Sequence, residues 1–134
     1  MKNPPPSGMM GIRHVALNVM DVRRAVDFYT QIMGMRIEWE PDPDNVYLTS
    51  GADNLALHRA REASGLSPDR VDHIGFVVRS PADVDAWAAH LKANSIVLLQ
   101  EPKTHRDGAR SIYFKDPDGL QIQLIYHPPI SDPA

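Results

Sequence analysis

The chain has 134 residues, of which 43% are hydrophobic and 23% charged, a composition typical of a globular domain that buries a sizeable core. A formal net charge of −3 leaves no basic field for nucleic acid, and the lack of cysteine excludes disulfides and thiolate metal sites. No apolar run reaches the roughly 18 residues that would span a bilayer, and residues 1–11 lack the apolar segment of a secretory signal. We therefore expect a cytoplasmic protein without a nucleic-acid or membrane partner.

The first half of the chain predicts a strand, a helix and three further strands. Residues 12–19 are rich in β-branched and apolar side chains, as in a strand. Asp21 is placed to cap a helix whose apolar side chains recur with a period near 3.6 as far as Met33, and Gly34 supplies its C-terminal stop. Shorter extended segments are predicted at residues 35–40, 46–49 and 54–59.

The second half repeats this order after a linker at residues 61–70. A strand is predicted at residues 71–78, followed by a helix that begins with Ser80 as cap, Pro81 at its first position and Asp83 completing a capping box. Strands are predicted at residues 96–100, 110–115 and 121–126. The tight-turn sequence at 116–119 predicts that the last two pair as a hairpin.

The two opening strands resemble each other and carry a histidine at the same place, His14 in the first and His73 in the second. We therefore predict an α+β domain at residues 11–127, made of two β-α-β-β-β modules at about 11–60 and 71–127. Residues 1–10 and 128–134, which are rich in proline, are expected to be tails.

Alternation along the strands assigns side chains to two faces. The apolar rows should pack beneath the helices, so the opposite, inner face should collect five polar or aromatic side chains: His14, His58, His73, Tyr113 and Gln123. Imidazole and amide groups can bind a metal, and a tyrosine can donate a hydrogen bond beside it. The competing interpretations are that His14 and His73 are core histidines satisfied by their neighbours and that Gln123 only fills space after metal binding was lost. His58 and Tyr113 would then be ordinary strand residues that are partly exposed.

The sequence resembles the vicinal oxygen chelate superfamily, which includes glyoxalase I, extradiol dioxygenases, fosfomycin-resistance proteins, methylmalonyl-CoA epimerase and bleomycin-binding proteins. The resemblance rests on the segments IRHVALNVMDVRRAVDFYTQIMGM, DHIGFVV and GARSIYFKDPDGLQIQLI taken together. It implies that the two modules form an open half-barrel, with the helices outside, around a divalent metal ion. The metal could be Fe, Mn, Ni, Zn or Co.

Carried over residue by residue, the resemblance implies that His14, His73 and Gln123 are metal ligands and that His58 is a fourth ligand or a base. Tyr113 matches a tyrosine of extradiol dioxygenases, and His105 lies near a histidine that those enzymes use as acid or base. A surface-loop role for His105 is the alternative. The family usually has glutamate where this chain has Gln123, so the ligand set would be neutral and would lack the usual carboxylate base.

Two functions follow from the resemblance. The first is a metal-dependent enzyme, either a glyoxalase-like lyase or isomerase or an extradiol-type dioxygenase, that acts on a small oxygen-chelating substrate. The second is a metal-free protein that binds a drug or metabolite, as bleomycin-resistance proteins do. The aromatic content of only 7%, with few aromatic residues on the predicted inner face, argues against it. A homodimer is expected in both cases.

Overall fold

The computed structural model describes residues 4–61, 71–115, 117 and 119–132. These residues form eight strands and three α-helices. The strands are β1 (Met9–Val19), β2 (Arg36–Asp42), β3 (Asn45–Thr49), β4 (Asn54–Arg59), β5 (Val71–Val78), β6 (Gln100–Thr104), β7 (Arg110–Lys115) and β8 (Gln121–Tyr126). The helices are α1 (Val22–Asp27), α2 (Pro81–Ala93) and α3 (Pro128–Ser131).

The strand order shows the predicted duplication. In the first module the neighbours run β2-β3-β4-β1, and in the second they run β6-β7-β8-β5. β1 pairs in parallel with β4, whereas β3 pairs antiparallel with both β2 and β4. In the second module β7 pairs antiparallel with β6 and β8. The α+β class and the β-α-β-β-β order are thus as predicted.

The chain divides into two compact units, His14–Ile74 and the described residues of Met1–Arg13 with Gly75–Ala134. The core of the unit His14–Ile74 lies between α1 and one face of β1, β3 and β4. Its buried members are Val19, Val22, Val26, Val46, Leu48 and Leu57. Leu17 and Leu55 pack against this cluster, so the apolar rows predicted for the first and fourth strands do face the helix.

The first helix differs from the prediction in its last turns. Asp21 caps it as expected, accepting a hydrogen bond from the Arg24 amide. From Phe28 to Ile32, however, the chain widens into a π-helical turn. The Thr30 hydroxyl donates to the Val26 carbonyl at 2.8 Å, and such a bond competes with the regular backbone ladder. Gly34 ends the helical segment at a φ of 80°.

The second unit has a core under α2. Ser80 and Asp83 form the predicted capping box, with Pro81 in the first turn. Val84 and Ala88 of α2 pack with Val78, Ile112 and Leu124. Val78, Ile112 and Leu124 belong to the rows that alternation predicts to face the helix on β5, β7 and β8.

Segments expected to be tails take part in the second unit. Met9 and Met10 extend β1 beyond the predicted strand, and residues 128–131 form α3. Ile130 of α3 is 4% exposed and packs with Val77, Ala109 and Ile125, with Met10 against them. Sequence reasoning missed this second apolar cluster because prolines in both segments suggested extended, unpacked chain.

The strand predicted at residues 96–100 is wrong. The strand lies at Gln100–Thr104 instead, pairing with β7 through Gln100 opposite Tyr113 and Thr104 opposite Arg110. Its sequence has no apolar alternation, and it contains Pro102, which an edge strand tolerates. Val97 and Leu99, which suggested a strand, are 78% and 53% exposed.

Two sequence features fall largely outside the described residues. The predicted linker is described only at Arg61, and the turn predicted at 116–119 lacks Asp116 and Asp118. The hairpin itself is confirmed by the pairing of β7 with β8. No helix in the described part of the chain is long and apolar enough to cross a membrane.

We predict that Leu48→Ala destabilises the protein by about 2–5 kcal/mol, because Leu48 is fully buried and the substitution leaves a cavity. Leu99→Ala is the matched control: its side chain is 53% exposed, so the same change should alter stability by less than about 0.5 kcal/mol. Chemical denaturation of both variants measures the difference. Equal losses would contradict the assigned core.

Candidate metal centre

His14 and His73 lie side by side in the unit His14–Ile74. Both side chains are buried, at 7% and 5% exposure. Their Nε2 atoms are 2.8 Å apart, and their ring centroids are 4.9 Å apart with the planes tilted by 42°. The two histidines that occupy the same place in the duplicated strands therefore present the same ring atom to each other.

The orientation of the His14 ring is fixed by a chain of hydrogen bonds. Asn54 lies opposite His14 in the parallel pairing of β1 with β4. The Asn54 Nδ2 donates to Glu38 Oε2 at 2.9 Å, so its Oδ1 is directed to His14 Nδ1, 2.8 Å away. Because an amide oxygen only accepts, His14 Nδ1 is the donor and carries the proton of the neutral ring.

His73 is held in the same tautomer by a carboxylate. Its Nδ1 donates to Asp72 Oδ2 at 2.7 Å. Burial acts to raise the pKa of Asp72, but interactions that include hydrogen bonds from His73 and from the Asn18 side chain outweigh it and lower the pKa. Asp72 is therefore a carboxylate at neutral pH and accepts the Nδ1 proton of His73.

These contacts leave the electron pairs of both Nε2 atoms directed at each other. Two neutral rings in these tautomers cannot hydrogen-bond to each other through Nε2, so the arrangement suits a cation, either a proton or a metal ion, between them. Two buried imidazole nitrogens that face each other are donors of the kind that divalent transition metals accept. Buried nitrogen donors whose other ring nitrogen is held by an acceptor are typical of histidine ligands.

His58 is held by a second arrangement of the same kind. Its Nδ1 lies 2.6 Å from Asn45 Oδ1, while the Asn45 Nδ2 donates to the Asp42 carboxylate at 2.9 and 3.1 Å. Burial lowers the pKa of His58, against the raising effect of the Asp72 charge. The ring is thus neutral at physiological pH, with Nε2 as a proton acceptor.

His58 does not complete a group of three with His14 and His73. Within residues 4–61, 71–115, 117 and 119–132, no three His, Asp or Glu side chains converge closely enough to hold a metal ion.

An aromatic pair lies on the same sheet face as the histidines. Trp39 and Tyr47 stack with ring centroids 5.2 Å apart and planes 25° apart. Tyr47 also contacts His58 edge to face, at 5.8 Å. Tyr47 lies opposite Ala56 on β4, and Ala56 lies opposite Ala16 on β1. His14 is two residues from Ala16 and His58 is two residues from Ala56, so all these side chains lie on one face of the sheet. Sequence reasoning expected few aromatic side chains on this face.

Gln123 and Tyr113 lie in the other unit. They are directly opposite each other in the pairing of β7 with β8, and Gln123 is 5% exposed. Their neighbours Ile112 and Leu124 belong to the core under α2, so Gln123 and Tyr113 lie on the opposite face of the strands. That is the face on which the sequence predicted them.

His105 is engaged locally within the second unit. Its Nε2 is 2.8 Å from the Ser111 hydroxyl, and Ser111 is fully buried. The His105 amide donates to the Ala109 carbonyl at 2.7 Å, which closes the short loop between β6 and β7. Burial lowers the pKa of His105. These contacts describe a ring that holds a loop in place.

The residues that sequence reasoning missed are the acceptors of the histidine rings. Alternation along the strand places Asn54 on the same face as His58, but nothing in a strand pattern shows that it orients His14. Asp72 adjoins His73 in the chain, and neighbours on a strand normally point to opposite faces. Glu38 was the least accessible to prediction, since its position depends on an irregularity in β2.

Known proteins resemble the chain over most of its length. Residues 11–124 match the family model of the Glyoxalase/Bleomycin resistance protein/Dioxygenase superfamily. A metallothiol transferase FosB of Staphylococcus epidermidis is 29% identical over 118 residues, which cover 85% of this chain and 81% of that protein. The manganese-dependent 2,3-dihydroxybiphenyl 1,2-dioxygenase of Geobacillus genomosp. 3 is also 29% identical over 118 residues, but these cover only 35% of its length.

A solved structure supports the same relationship. The Mn(II)-bound glyoxalase from Novosphingobium aromaticivorans superposes with a TM-score of 0.73 at 27% identity, covering 90% of this chain and 40% of that one. The matched family model, the shared fold and the duplicated modules lead to one assignment. The chain belongs to the glyoxalase, bleomycin resistance and dioxygenase superfamily, that is, the vicinal oxygen chelate superfamily.

Proposed function

We propose that the protein is a divalent-metal-dependent enzyme that acts on a small substrate with two neighbouring oxygen atoms. The observation that carries the proposal is the pair of buried Nε2 atoms 2.8 Å apart, each on a ring whose Nδ1 is held by an acceptor. Relatives whose names state a metal or a metal-dependent reaction support it.

His14 and His73 would hold the metal, with Gln123 as a third, neutral ligand. The proposed role of Gln123 as a ligand is based on its sequence position, where other members of the family usually have a glutamate ligand. A bound divalent ion would act as a Lewis acid that polarises the substrate oxygens. Since none of these ligands is anionic, the site would favour a substrate that brings negative charge.

Within the two reaction classes expected from the resemblance, His58 favours proton transfer of the glyoxalase or isomerase kind. Its neutral ring, fixed through Asn45 and Asp42, can accept a proton from a substrate carbon at Nε2 and return it to the adjacent carbon. In this proposal Tyr113 donates a hydrogen bond to a substrate oxygen. Extradiol cleavage, which pairs two histidines with a carboxylate on iron, fits this ligand set less well.

A metal-free binding protein is the second candidate, and the stacked Trp39 and Tyr47 favour it. Such a pair offers a flat apolar surface to a ring-containing ligand. The two candidates differ in whether the histidine pair binds metal, so metal binding decides between them. A homodimer stays a prediction from the family resemblance under either one.

We predict that the purified protein binds a divalent ion and that His14→Ala and His73→Ala each weaken this binding by more than about 100-fold. The reason is that the loss of a ligand should exceed the 10- to 100-fold cost of losing a ligand's hydrogen-bond partner. Elemental analysis and Zn²⁺ titration measure this. His90→Ala, a histidine on α2, is the control. Equal metal content in all four proteins would remove the enzyme proposal.

We predict that Gln123→Glu raises metal affinity by about tenfold or more, because a unit charge in contact with a divalent ion contributes more than about 1.4 kcal/mol even in water. Gln121→Glu makes the same change two residues away on β8 and serves as the control for a general field effect. The two affinities are compared by competition with a chelator. If both variants gain equally, Gln123 is not a ligand.

We predict that His58→Gln lowers proton-transfer turnover by about 10²- to 10⁴-fold, the range for removal of a general base. Metal content should stay that of the unaltered protein. The hemithioacetal of methylglyoxal and glutathione is the first probe, and a catechol tests the dioxygenase class. The assigned role of His58 would be contradicted if the protein turned over the catechol but not the hemithioacetal. It would also be contradicted if His58→Gln lost metal, with the Kd for the metal raised as much as in His14→Ala.

A further inference from the structure

Glu38 occupies an irregular position in β2. The pairing with β3 runs Ile37 opposite Leu48 and then Trp39 opposite Tyr47, so Glu38 is an extra residue that faces no partner of its own. Such a β-bulge turns the strand and redirects a side chain. In a regular strand the neighbours Glu38 and Trp39 would point to opposite faces. Here Glu38 hydrogen-bonds to Asn54, which lies on the same face as Trp39, so the bulge has turned Glu38 to that face.

The bulge brings a carboxylate to the far side of the His14 acceptor. Glu38 is half-buried, and its Oε2 accepts from the Asn54 Nδ2 at 2.9 Å. An asparagine side chain can present either its oxygen or its nitrogen to a neighbour. The Glu38 carboxylate fixes this choice because it only accepts hydrogen bonds. It therefore pairs with the Asn54 amide nitrogen, and the Asn54 oxygen faces His14.

We propose that Glu38 is a positioning residue which, through Asn54, fixes the Nδ1–H tautomer of His14 and so presents Nε2 as an electron-pair donor. The inference rests on the proposed function for its consequence, metal affinity, but the tautomer exists in the metal-free protein. Without the carboxylate the Asn54 amide is free to turn its nitrogen toward His14. The ring would then carry its proton on Nε2, where it blocks a metal ion.

His58 shows that the same device serves a second ring of this unit. There the carboxylate is Asp42, and it also accepts from an asparagine whose oxygen faces a histidine Nδ1. The sequence positions differ: Asp42 and Asn45 adjoin one tight turn, whereas Glu38 and Asn54 come from separate strands. The order histidine, amide, carboxylate is thus built twice by different local structures.

The test is Glu38→Gln, with Glu40→Gln as the matched control. Glu40 is on the same strand but is exposed and pairs with Arg23. Imidazole ¹⁵N shifts of the metal-free protein report the His14 tautomer. The unaltered protein and Glu40→Gln should show Nδ1–H, and Glu38→Gln should show a mixture with Nε2–H. Zn²⁺ affinity should fall about 10- to 100-fold in Glu38→Gln and less than about twofold in the control.

A double variant, Glu38→Gln with Asn54→Asp, separates positioning from a structural role. It gives His14 a carboxylate acceptor directly, so the Nδ1–H tautomer should return. Rescue supports the inference, and failure of rescue in a folded protein overturns it. If Glu38→Gln matches Glu40→Gln in tautomer and affinity while His14→Ala loses metal, the inference fails and the proposed function stands. If neither the unaltered protein nor any variant binds Zn²⁺, the proposed function fails. The inference about Glu38 is then tested by the ¹⁵N shifts of His14 alone.

Discussion

The arrangement of the site depends on two imidazole nitrogens that face each other at 2.8 Å. Two buried nitrogen lone pairs at this distance repel each other unless a cation lies between them. Around the pair, Asn54 and Asp72 take the Nδ1 protons, so neither ring can relieve the repulsion by moving its own proton to Nε2. The surroundings thus hold the rings in the state that suits a cation.

The sheet supplies the precision that this arrangement needs. The parallel register of β1 with β4 puts Asn54 opposite His14, and the reverse face of the same strands is the apolar core beneath α1. Buried rows such as Leu55 and Leu57 fix the register, since a slip of one residue would turn every side chain to the other face. The core therefore determines which acceptor each ring meets.

Periodicity and repetition were enough to predict the fold and the faces, but not the contacts. His14, His58 and His73 were assigned to one face by alternation alone, and the capped starts of both helices followed from Asp21 and Ser80. The strand at residues 96–100 was misplaced because apolar residues were taken as strand residues, while the actual edge strand is polar. Glu38 could not be assigned, because a bulge appears only when two strands are paired.

Because the proposed ligand set is neutral, charge compensation of the metal ion and proton transfer would be carried out by different groups. In a site with a metal-bound carboxylate, one group both offsets the charge of the ion and moves the proton. With Gln123 in that position the two tasks separate: the substrate would have to bring the negative charge, and a base outside the ligand set would have to take the proton. His58 meets the second requirement because burial keeps it neutral and Asn45 holds its Nδ1, which leaves Nε2 to accept. Under the proposed function, the glutamine would then be compatible with catalysis and would select for anionic, chelating substrates.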